Sequence, residues 1–552
     1  MKQKLKIGVL IDQYQISSWE NSILQELVNS PYAEITVLVK KKVGKTTQDT
    51  FSQKLKKYGR VFLYEQYMKL EQRLISLSPD AFEPKDIRET LSVPELTVET
   101  TETAFSDRVV EEDIAKIKDY KLDVFLRFGF RILRGNILKC SKYGVWSYHH
   151  GDNNVNRGGP AGVWEVIKGW DETGVILQIL TEDLDGGVKL FESYSSTDKS
   201  SIQRNRNNYY WKAKSFIPRK LKELYEMGEK DFFKSVSPLN NKPSIYYNEL
   251  FITPGNFTMV KYITKRVWHT IKEKIRELFV LDQWILLYKF EKQDKISQSF
   301  FRFKRLVPPR DRFWADPFIA VKDNKYFVFL EEYIYKKRKG VISVIELNEK
   351  GMVGDCQLVL ETDYHLSYPF LFEDGDKIYM IPESADNNTV ELYECEEFPL
   401  KWKLKKVLLD NISAYDATIF QYDGKYWMFA NVRTNEGAST WDELFLFYAD
   451  GLFDEWKEHP MNPVVSDVKK ARPAGNVIEY QGNLYRPGQN CAKRYGHGMT
   501  LSKITKLTET EYEEMEEQSI YPNWEKDLLA THTLNSKSRL TIIDAMIKRN
   551  RF

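Results

Sequence analysis

The chain has 552 residues, of which 42% are apolar and 29% are charged. Single hydrophobic cores stop growing at about 250 to 300 residues, so this length predicts two or three domains. There are 81 basic and 79 acidic residues, and a net charge of +2 argues against nucleic acid as a partner. The four cysteines match no paired metal-ligand spacing and favour a reducing cytoplasm, so we expect a cytoplasmic protein without a metal centre.

Residues 1–235 have the pattern of an α/β domain. Apolar runs at 6–12 and 34–39 predict strands, and the segment between them places Ile23, Leu24 and Leu27 on one helical face. Further strands are predicted at 123–128, 145–148 and 175–180, followed by a helix at 213–227. This alternation indicates a Rossmann-like, largely parallel sheet. No glycine-rich phosphate motif follows the first strand, which argues against nucleotide hydrolysis and dinucleotide redox chemistry.

Residues 236–307 give a mixed signal, and we interpret them as a partly helical connector. Apolar residues recur at helical intervals over residues 264–279. The N-terminal apolar run is too short for a signal peptide, and no run of about 18 apolar residues predicts a transmembrane segment. Contact with a membrane surface stays open.

Residues 308–522 contain an internal repeat of short strands. Its copies begin at Ala315, Tyr368, Asp416 and Pro473, and their hairpin turns lie about 50 residues apart. This period is typical of β-propeller blades. We expect five blades, the fifth assembled from the segment after Gly498 and an upstream strand at 244–253 or 300–307. Residues 523–552 are predicted to be a C-terminal tail or helix.

The densest group of motifs lies at residues 146–187. A histidine at a strand end, His149, is followed by Arg157-Gly158, by the Glu-Thr-Gly-Val of residues 172–175 and by the Leu-Asp-Gly-Gly of residues 184–187. In order and spacing the segment resembles the core of the 10-formyltetrahydrofolate-dependent formyltransferases. The resemblance implies catalytic roles for His149, Asp185 and Ser147, and binding of 10-formyltetrahydrofolate by Arg157, Gly158 and Asp183.

The chemistry fits these residue types. An amine that attacks a formyl carbon must lose a proton, and the oxyanion that forms must be stabilised. Histidine titrates in the useful range, and an aspartate can orient its ring. The family's asparagine, an oxyanion donor, is replaced here by Ser147, and Asn153 or Asn154 is a candidate substitute. Losing such a donor commonly costs about 10²- to 10³-fold in turnover.

The repeat region supplies a second group of candidates. Asp316, Glu383 and Asp416 are expected to converge near one mouth of the propeller channel, with Arg472, Arg486, Gln489 and His497 on the same face and Trp314 and Tyr415 as sugar-stacking rings. The pattern resembles the five-bladed propellers of glycoside hydrolase clans. It is closer to the amino-terminal region of plant glucosamine inositolphosphorylceramide transferases, on the Ala-Asp-Pro-Phe, Pro-Glu-Ser and Arg-Pro-Ala-Gly elements. The alternative interpretation is that Asp316 and Asp416 brace blade turns.

Three functions remain open. The preferred hypothesis is formyl transfer to the amine of an amino sugar or sugar conjugate in glycan biosynthesis, with the propeller binding the carbohydrate. The second is a glycan-active hydrolase or transferase that uses Asp316, Glu383 and Asp416. The third is a non-catalytic glycan-binding protein with a degenerate formyltransferase site. The oligomeric state and the acceptor sugar do not follow from the sequence.

Overall fold

The protein is described by a computed structural model that covers residues 2–42, 51–103, 105–184, 186–243 and 245–551, without the side chains of 51–57. It divides into two compact units, Met1–Arg266 with Thr434–Ser439, and Val267–Arg433 with Thr440–Phe552. None of the helices in these residues has the length and apolar content needed to cross a membrane.

The first unit is an α/β structure. Its strands are β1 Leu5–Ile11, β2 Gln15–Ser17, β3 Ala33–Lys41, β4 Pro84–Asp86, β5 Glu95–Val98, β6 Thr100–Glu102, β7 Ser106–Val109, β8 Val124–Arg127, β9 Ile132–Arg134, β10 Val145–His149, β11 Glu172–Ile179 and β12 Val188–Ser196. Its helices are α1 Ser18–Val28, α2 Phe51–Leu74, α3 Glu111–Lys118, α4 Trp164–Lys168, α5 Ile202–Ala213, α6 Phe216–Met227 and α7 Glu229–Val236; α8 Asn256–Phe279 follows them.

Seven of these strands form one sheet, in the order β12-β11-β10-β8-β1-β3-β5. Pairing is parallel from β10 to β5, because helices and loops return the chain to the same edge, and antiparallel from β10 through β11 to β12. Ile7, Val9 and Leu126 are fully buried, as expected for strands covered on both faces. The predicted α/β domain with a largely parallel sheet is therefore confirmed.

The second unit consists of antiparallel sheets. Four follow one another along the chain: β15 Arg312–Lys322 to β18 Gly351–Leu360, β19 Ser367–Asp374 to β22 Lys401–Asp410, β23 Ala414–Tyr422 to β27 Val465–Ser466, and β28 Ile478–Tyr480 to β31 Tyr512–Ile520. The intervening strands are β16 Lys325–Ile334, β17 Lys339–Asn348, β20 Lys377–Ser384, β21 Thr389–Glu397, β24 Lys425–Val432, β25 Glu443–Ala449, β26 Lys457–Glu458, β29 Asn483–Asn490 and β30 Gly498–Leu507. Meanders of this kind are typical of propeller blades, and the blade count stays a prediction.

A fifth sheet joins the two ends of this unit. It contains β13 Val280–Phe290, β14 Lys304–Leu306, β32 Leu528–Ala530, β33 Leu534–Lys537 and β34 Leu540–Asn550, and β13 pairs with β34 along its whole length. Residues 523–552, predicted to be a tail or helix, instead hold three strands, because Leu540, Ile542 and Ile543 are buried in pairing with β13. The predicted connector likewise contributes β13 and β14, and of the two upstream candidates only 300–307 supplies a strand.

Candidate functional site

The C-terminal end of β10 carries the predicted catalytic histidine. Nε2 of His149 lies 2.9 Å from the backbone oxygen of Asn156. Gly151 permits this approach, because a Cβ there would lie 2.8 Å from Nε2. A carbonyl oxygen only accepts hydrogen bonds, so the neutral ring carries its hydrogen on Nε2 and its lone pair on Nδ1. The arrangement makes Nδ1 the basic atom of His149.

The neighbouring His150 has a different environment. Its ring stacks on Tyr210 at a centroid distance of 3.8 Å and an interplanar angle of 8°, and it meets Trp19 edge-on. Burial lowers the pKa of His150 well below its usual value, and the charge of His149 acts in the same direction. His150 is therefore a neutral ring of the aromatic core.

Ser147, at the position of the family's asparagine, is buried in β10. Its Oγ accepts a hydrogen bond from Nη1 of Arg127 at 3.1 Å and donates to the backbone oxygen of Tyr148 at 3.3 Å. Nη2 of Arg127 donates to the backbone oxygens of Phe130 and Arg131 at 2.7 and 2.8 Å. These hydrogen bonds fix the guanidinium between β8 and β10. Ser147, which it contacts, lies two residues before His149 in the chain. Sequence reasoning missed Arg127, although it ends a predicted strand next to β10.

The Arg157-Gly158 motif packs against a later loop. Gly158 has φ of +103°, and a Cβ there would lie 2.2 Å from the backbone oxygen of Phe251. Backbone hydrogen bonds from Phe251 to Arg157 at 2.9 Å and from Gly159 to Phe251 at 3.0 Å join the two segments. The guanidinium of Arg157 lies 4.8 Å from the ring centroid of Tyr246, and its Nε donates to the oxygen of Asn153. The motif therefore organises the loop after His149.

The turn after β11 completes the region. Asp183 is exposed, and its backbone oxygen accepts the N–H of Gly186 at 3.3 Å. Asp185, the predicted partner of His149, lies outside the described residues. Beside this turn is a cavity of about 390 Å³ lined by residues that include Asn153, Asn154 and Tyr194. Asn153 is buried and donates from Nδ2 to Oε1 of Gln178 at 3.3 Å.

In the second unit, a backbone irregularity recurs in the first strands of three of the four consecutive sheets. Asp316, Tyr368 and Asp416 have φ of 50°, 42° and 54°, and each lies at a register shift in its strand pairing. Bulges with left-handed residues are costly and are retained where a side chain must be aimed. Tyr368 occupies in the second repeat the place of the two aspartates, a correspondence that aligning the repeats would have revealed.

Arg472 connects two of the predicted carboxylates. Its Nε lies 2.6 Å from Oδ2 of Asp416, and its Nη2 lies 2.9 Å from Oε2 of Glu383. Gln489 donates to the same Asp416 oxygen at 2.8 Å. The rings of Tyr415 and Tyr495 each lie 5.2 Å from the guanidinium carbon. Glu383 and Asp416, two of the three carboxylates predicted to converge, therefore share Arg472 in a buried ion-paired network.

Asp316 belongs to a second buried group. Its Oδ1 accepts the hydroxyl of Thr533 at 2.7 Å and lies 3.3 Å from Nε2 of His532. Nδ1 of His532 lies 2.7 Å from Oδ2 of Asp544, although the ring N–H is not aligned for a hydrogen bond. Asp544 also accepts the backbone N–H groups of His532, Thr533 and Asp316.

The Asp316-His532-Asp544 triad could also be considered as a metal site. One ligand atom from each residue lies within 4.8 Å of the others. Both oxygens of Asp544 and Oδ1 of Asp316 already accept hydrogen bonds from protein donors, which a metal ion would have to displace. The geometry fits a charge-paired triad better than a metal centre.

Burial shapes the ionisation of this cluster. Burial raises the pKa of Asp316 to about 6 and raises the pKa values of Glu331 and Glu383 well above their usual range, although Arg472 opposes the shift at Glu383. Burial disfavours the charged ring of His532, but Asp544 and Asp316 raise its pKa. All four groups hold their protons to higher pH than in water.

Other predicted residues lie apart from the cluster. Trp314 is 3% exposed in an apolar core, with its indole N–H donating to Glu332. Arg486 pairs with Glu514 at 2.8 Å, and the ring of His497 faces the backbone oxygen of Leu529. Sequence reasoning missed Glu331, His532 and Asp544.

Comparison with known protein families gives a match for the second unit. Residues 307–538 match the family model described as glucosamine inositolphosphorylceramide transferase 1, N-terminal. The rice protein of that name (Oryza sativa subsp. japonica) is 38% identical over 206 residues, which are 37% of this chain and 28% of the rice protein. The Arabidopsis thaliana protein is 35% identical over 207 residues. The chain thus spans about a quarter of the length of these relatives, and the predicted resemblance of this region is confirmed.

The formyltransferase resemblance is supported over a shorter stretch. A methionyl-tRNA formyltransferase of Prochlorococcus marinus is 42% identical over 84 residues, 15% of this chain and 25% of that protein. Among solved structures, glycinamide ribonucleotide transformylase 1 from Symbiobacterium toebii covers 40% of this chain at 14% identity, with 88% of its own chain aligned and a TM-score of 0.27. A family 117 glycoside hydrolase from Zobellia galactanivorans covers 48% at 11% identity, with 90% of its own chain aligned and a TM-score of 0.31.

Proposed function

We propose that this protein transfers a formyl group from 10-formyltetrahydrofolate to the amine of an amino sugar or sugar conjugate in the cytoplasm, and that its second unit binds the carbohydrate. The observation that carries the proposal is His149 at the end of β10, with Nε2 held by the Asn156 carbonyl in the segment that resembles the formyltransferases. The similarity to methionyl-tRNA formyltransferase supports the reaction class. The name of the rice relative contains glucosamine, which supports an amino sugar as acceptor.

In this proposal His149 removes the proton from the attacking amine as the new carbon–nitrogen bond forms. It returns that proton to the nitrogen of tetrahydrofolate when the bond between that nitrogen and the formyl carbon breaks. The Asn156 carbonyl keeps hydrogen on Nε2, so Nδ1 is the atom that receives the proton. Asp185 remains the proposed partner that stabilises the charged ring. The acceptor must be an uncharged amine at the moment of attack, so its proton has to pass to a base.

The oxyanion donor in this proposal is Arg127. The single hydroxyl hydrogen of Ser147 is donated to the backbone oxygen of Tyr148, whereas Arg127 brings a guanidinium to Ser147 Oγ. A cationic donor stabilises a developing negative charge more strongly than a neutral amide does.

The donor fits the surroundings of this site. The cavity of about 390 Å³ beside residues 183–187 is bounded by Asn153, Asn154 and Tyr194, which offer amide groups and an aromatic ring to a pterin. Tetrahydrofolate supplies the activated formyl group, and the residues of this chain supply the proton acceptor and the charge stabilisation.

Calorimetry and turnover test the proposal together. 5-Formyltetrahydrofolate should bind the intact protein at micromolar concentration, and formyl transfer to a panel of amino sugars should be detectable by mass spectrometry. His149→Ala and Arg127→Gln should each lower turnover by about 10²- to 10³-fold and leave analogue affinity within about threefold. His269→Ala, at an exposed histidine on α8, is the control and should match wild type. Absence of folate binding by the folded protein would exclude the proposal.

A second candidate function rests on the carboxylates of the second unit. Burial and the neighbouring Asp416 and Asp316 raise the pKa of Glu383, a property of general acids in glycosidic chemistry. Arg472, however, pairs with both Glu383 and Asp416, which favours sugar binding over hydrolysis. Glycan cleavage or transfer that is lost in Glu383→Gln and kept in His149→Ala would support this second candidate.

A further inference from the structure

The long helix α8, Asn256–Phe279, has a face that the described residues leave uncovered. Met259 and Tyr262, in its first two turns, are the residues that it buries. Beyond them Trp268 is 69% exposed and Leu278 is 65% exposed. Large apolar side chains in water need a reason, since a helix in solution normally keeps only one apolar face and buries it.

The exposed apolar residues fall on one stripe. Their separations of one, three, four and seven residues place them on one side of a helix: Phe257, Val260, Val267, Trp268, Ile271, Ile275 and Leu278. Met259 and Tyr262 lie on the opposite side. The helix therefore has two apolar faces, one packed on the protein and one facing solvent.

Basic residues flank the exposed stripe. Within Asn256–Phe279 there are six lysines and arginines against two glutamates. At helical spacing Lys261, Lys265 and Lys272 lie along one border of the stripe and Lys274 along the other. An apolar stripe with aromatic side chains between rows of lysine is the pattern of helices that lie in the plane of a membrane surface.

A cavity beside the start of α8 carries the same charge. It has a volume of about 570 Å³, and its lining includes the basic residues Arg60, Lys168, Lys261 and Lys265 against one acidic residue, Glu249. The exposed apolar side chains of Leu250, Ile252 and Phe257 also border it. Four cations around a cavity next to an apolar rim suit an anionic headgroup whose acyl chains lie against the rim.

We propose that α8 and this cavity bind the surface of an anionic phospholipid bilayer, with the stripe inserted among the acyl chains and the lysines at the headgroups. Charge complementarity selects this occupant, because a second copy of the same stripe would bring rows of lysine together. The inference is independent of the formyl-transfer proposal and needs no acceptor or donor to be bound.

The test is co-sedimentation of the full chain with vesicles of phosphatidylglycerol and phosphatidylcholine, compared with phosphatidylcholine alone. Binding should be saturable, stronger on the anionic vesicles and weakened by salt, with a blue shift of tryptophan fluorescence that Trp268→Phe removes. Ile271→Glu should lower vesicle affinity by at least about tenfold, because the bilayer then loses an isoleucine side chain that would lie among its acyl chains. Lys272→Gln and Lys274→Gln should each lower it by about fivefold.

Thr270→Glu provides the matched control. It adds the same charge to the same exposed helix, away from the stripe, and should weaken binding far less than Ile271→Glu. Equal losses in the two variants, or no binding of the wild type to anionic vesicles, would overturn the proposal. Sedimentation velocity gives the remaining outcome: a dimer that Ile271→Glu dissociates, without vesicle binding, would assign the stripe to a second copy of the chain.

Discussion

The two candidate sites use the same kinds of side chains in opposite ways. In the first unit His149 is only partly buried, and a backbone carbonyl orients its ring. In the second unit Asp416 and His532 are each 1% exposed and surrounded by charged partners. A buried group in an ion pair can change its protonation only at the expense of stability. The contrast marks the buried cluster of the second unit as a locked centre.

Removing the cation of the second site is the strongest test of this contrast. Arg472→Leu leaves Glu383 and Asp416 buried without a counter-charge, and we expect it to lower the free energy of unfolding by about 3 to 5 kcal/mol. Hydrogen exchange at β20 and β23, together with urea unfolding, measures the loss. Lys425→Leu, which removes an exposed pair with Asp450, should leave the free energy of unfolding close to that of wild type. Equal costs would mean that Arg472 is not a structural lock.

The sequence predicted the parts of this network that are marked by the repeat. Asp316 and Asp416 begin repeated strands, so their inward placement follows from the period. His532 lies in the connection between β32 and β33 and Asp544 lies in β34, in a sheet begun by β13 about 250 residues earlier, and no local pattern links them. Glu331 is adjacent to Glu332 in β16, and two successive acids are typical of exposed chain, yet both are buried. The sequence alone could therefore not predict the pairing of strands far apart in the chain or the burial of charged side chains.

In the first unit a contiguous motif located more of the site. His149, Arg157 and Gly158 lie within ten residues, so their neighbourhood did not depend on distant pairing. The partner of the Arg157-Gly158 motif, Phe251, lies in the predicted connector and was not foreseen. Arg127 was overlooked because it is a single charge at the end of an apolar strand.

Gly158 tests whether the Arg-Gly motif is structural. Gly158→Ala would force a Cβ against the Phe251 oxygen at positive φ, and we expect it to cost about 2 to 3 kcal/mol. Gly169→Ala is the control, since Gly169 has φ of +75° with no atom within 4 Å of the added Cβ, and it should cost about 1 kcal/mol. Thermal unfolding of both variants provides the comparison. A smaller loss in Gly158→Ala than in Gly169→Ala would contradict the packing role of the motif.

The pH dependence of stability tests whether the buried carboxyl group of Glu331, in the second unit, retains its proton. Burial first, and then the charges of Asp316 and Glu383, raise the pKa of Glu331 well above its usual value. A raised folded-state pKa gives stability that is complete below the unfolded pKa of about 4.3 and is lost as pH rises through the folded value. Glu331→Gln lacks this dependence, so its stability relative to wild type should increase with pH, by at most about 1.4 kcal/mol per pH unit. Parallel curves for the two proteins in urea unfolding between pH 5 and 8 would show that Glu331 does not retain its proton.

Ser147→Ala should have the smallest effect of the substitutions at the first site, and it separates the role of Ser147 from that of Arg127. Its hydroxyl hydrogen is donated to the Tyr148 oxygen and its Oγ accepts from Arg127, so Ser147 has no hydrogen to offer an oxyanion. Ser147→Ala should therefore lower formyl transfer by less than about tenfold, far below the loss of about 10²- to 10³-fold that removal of a true oxyanion donor causes. Turnover of Ser147→Ala and Arg127→Gln under the same conditions separates the two residues. If Ser147→Ala shows the larger loss, the serine has taken over the task of the asparagine, and Arg127 only positions it.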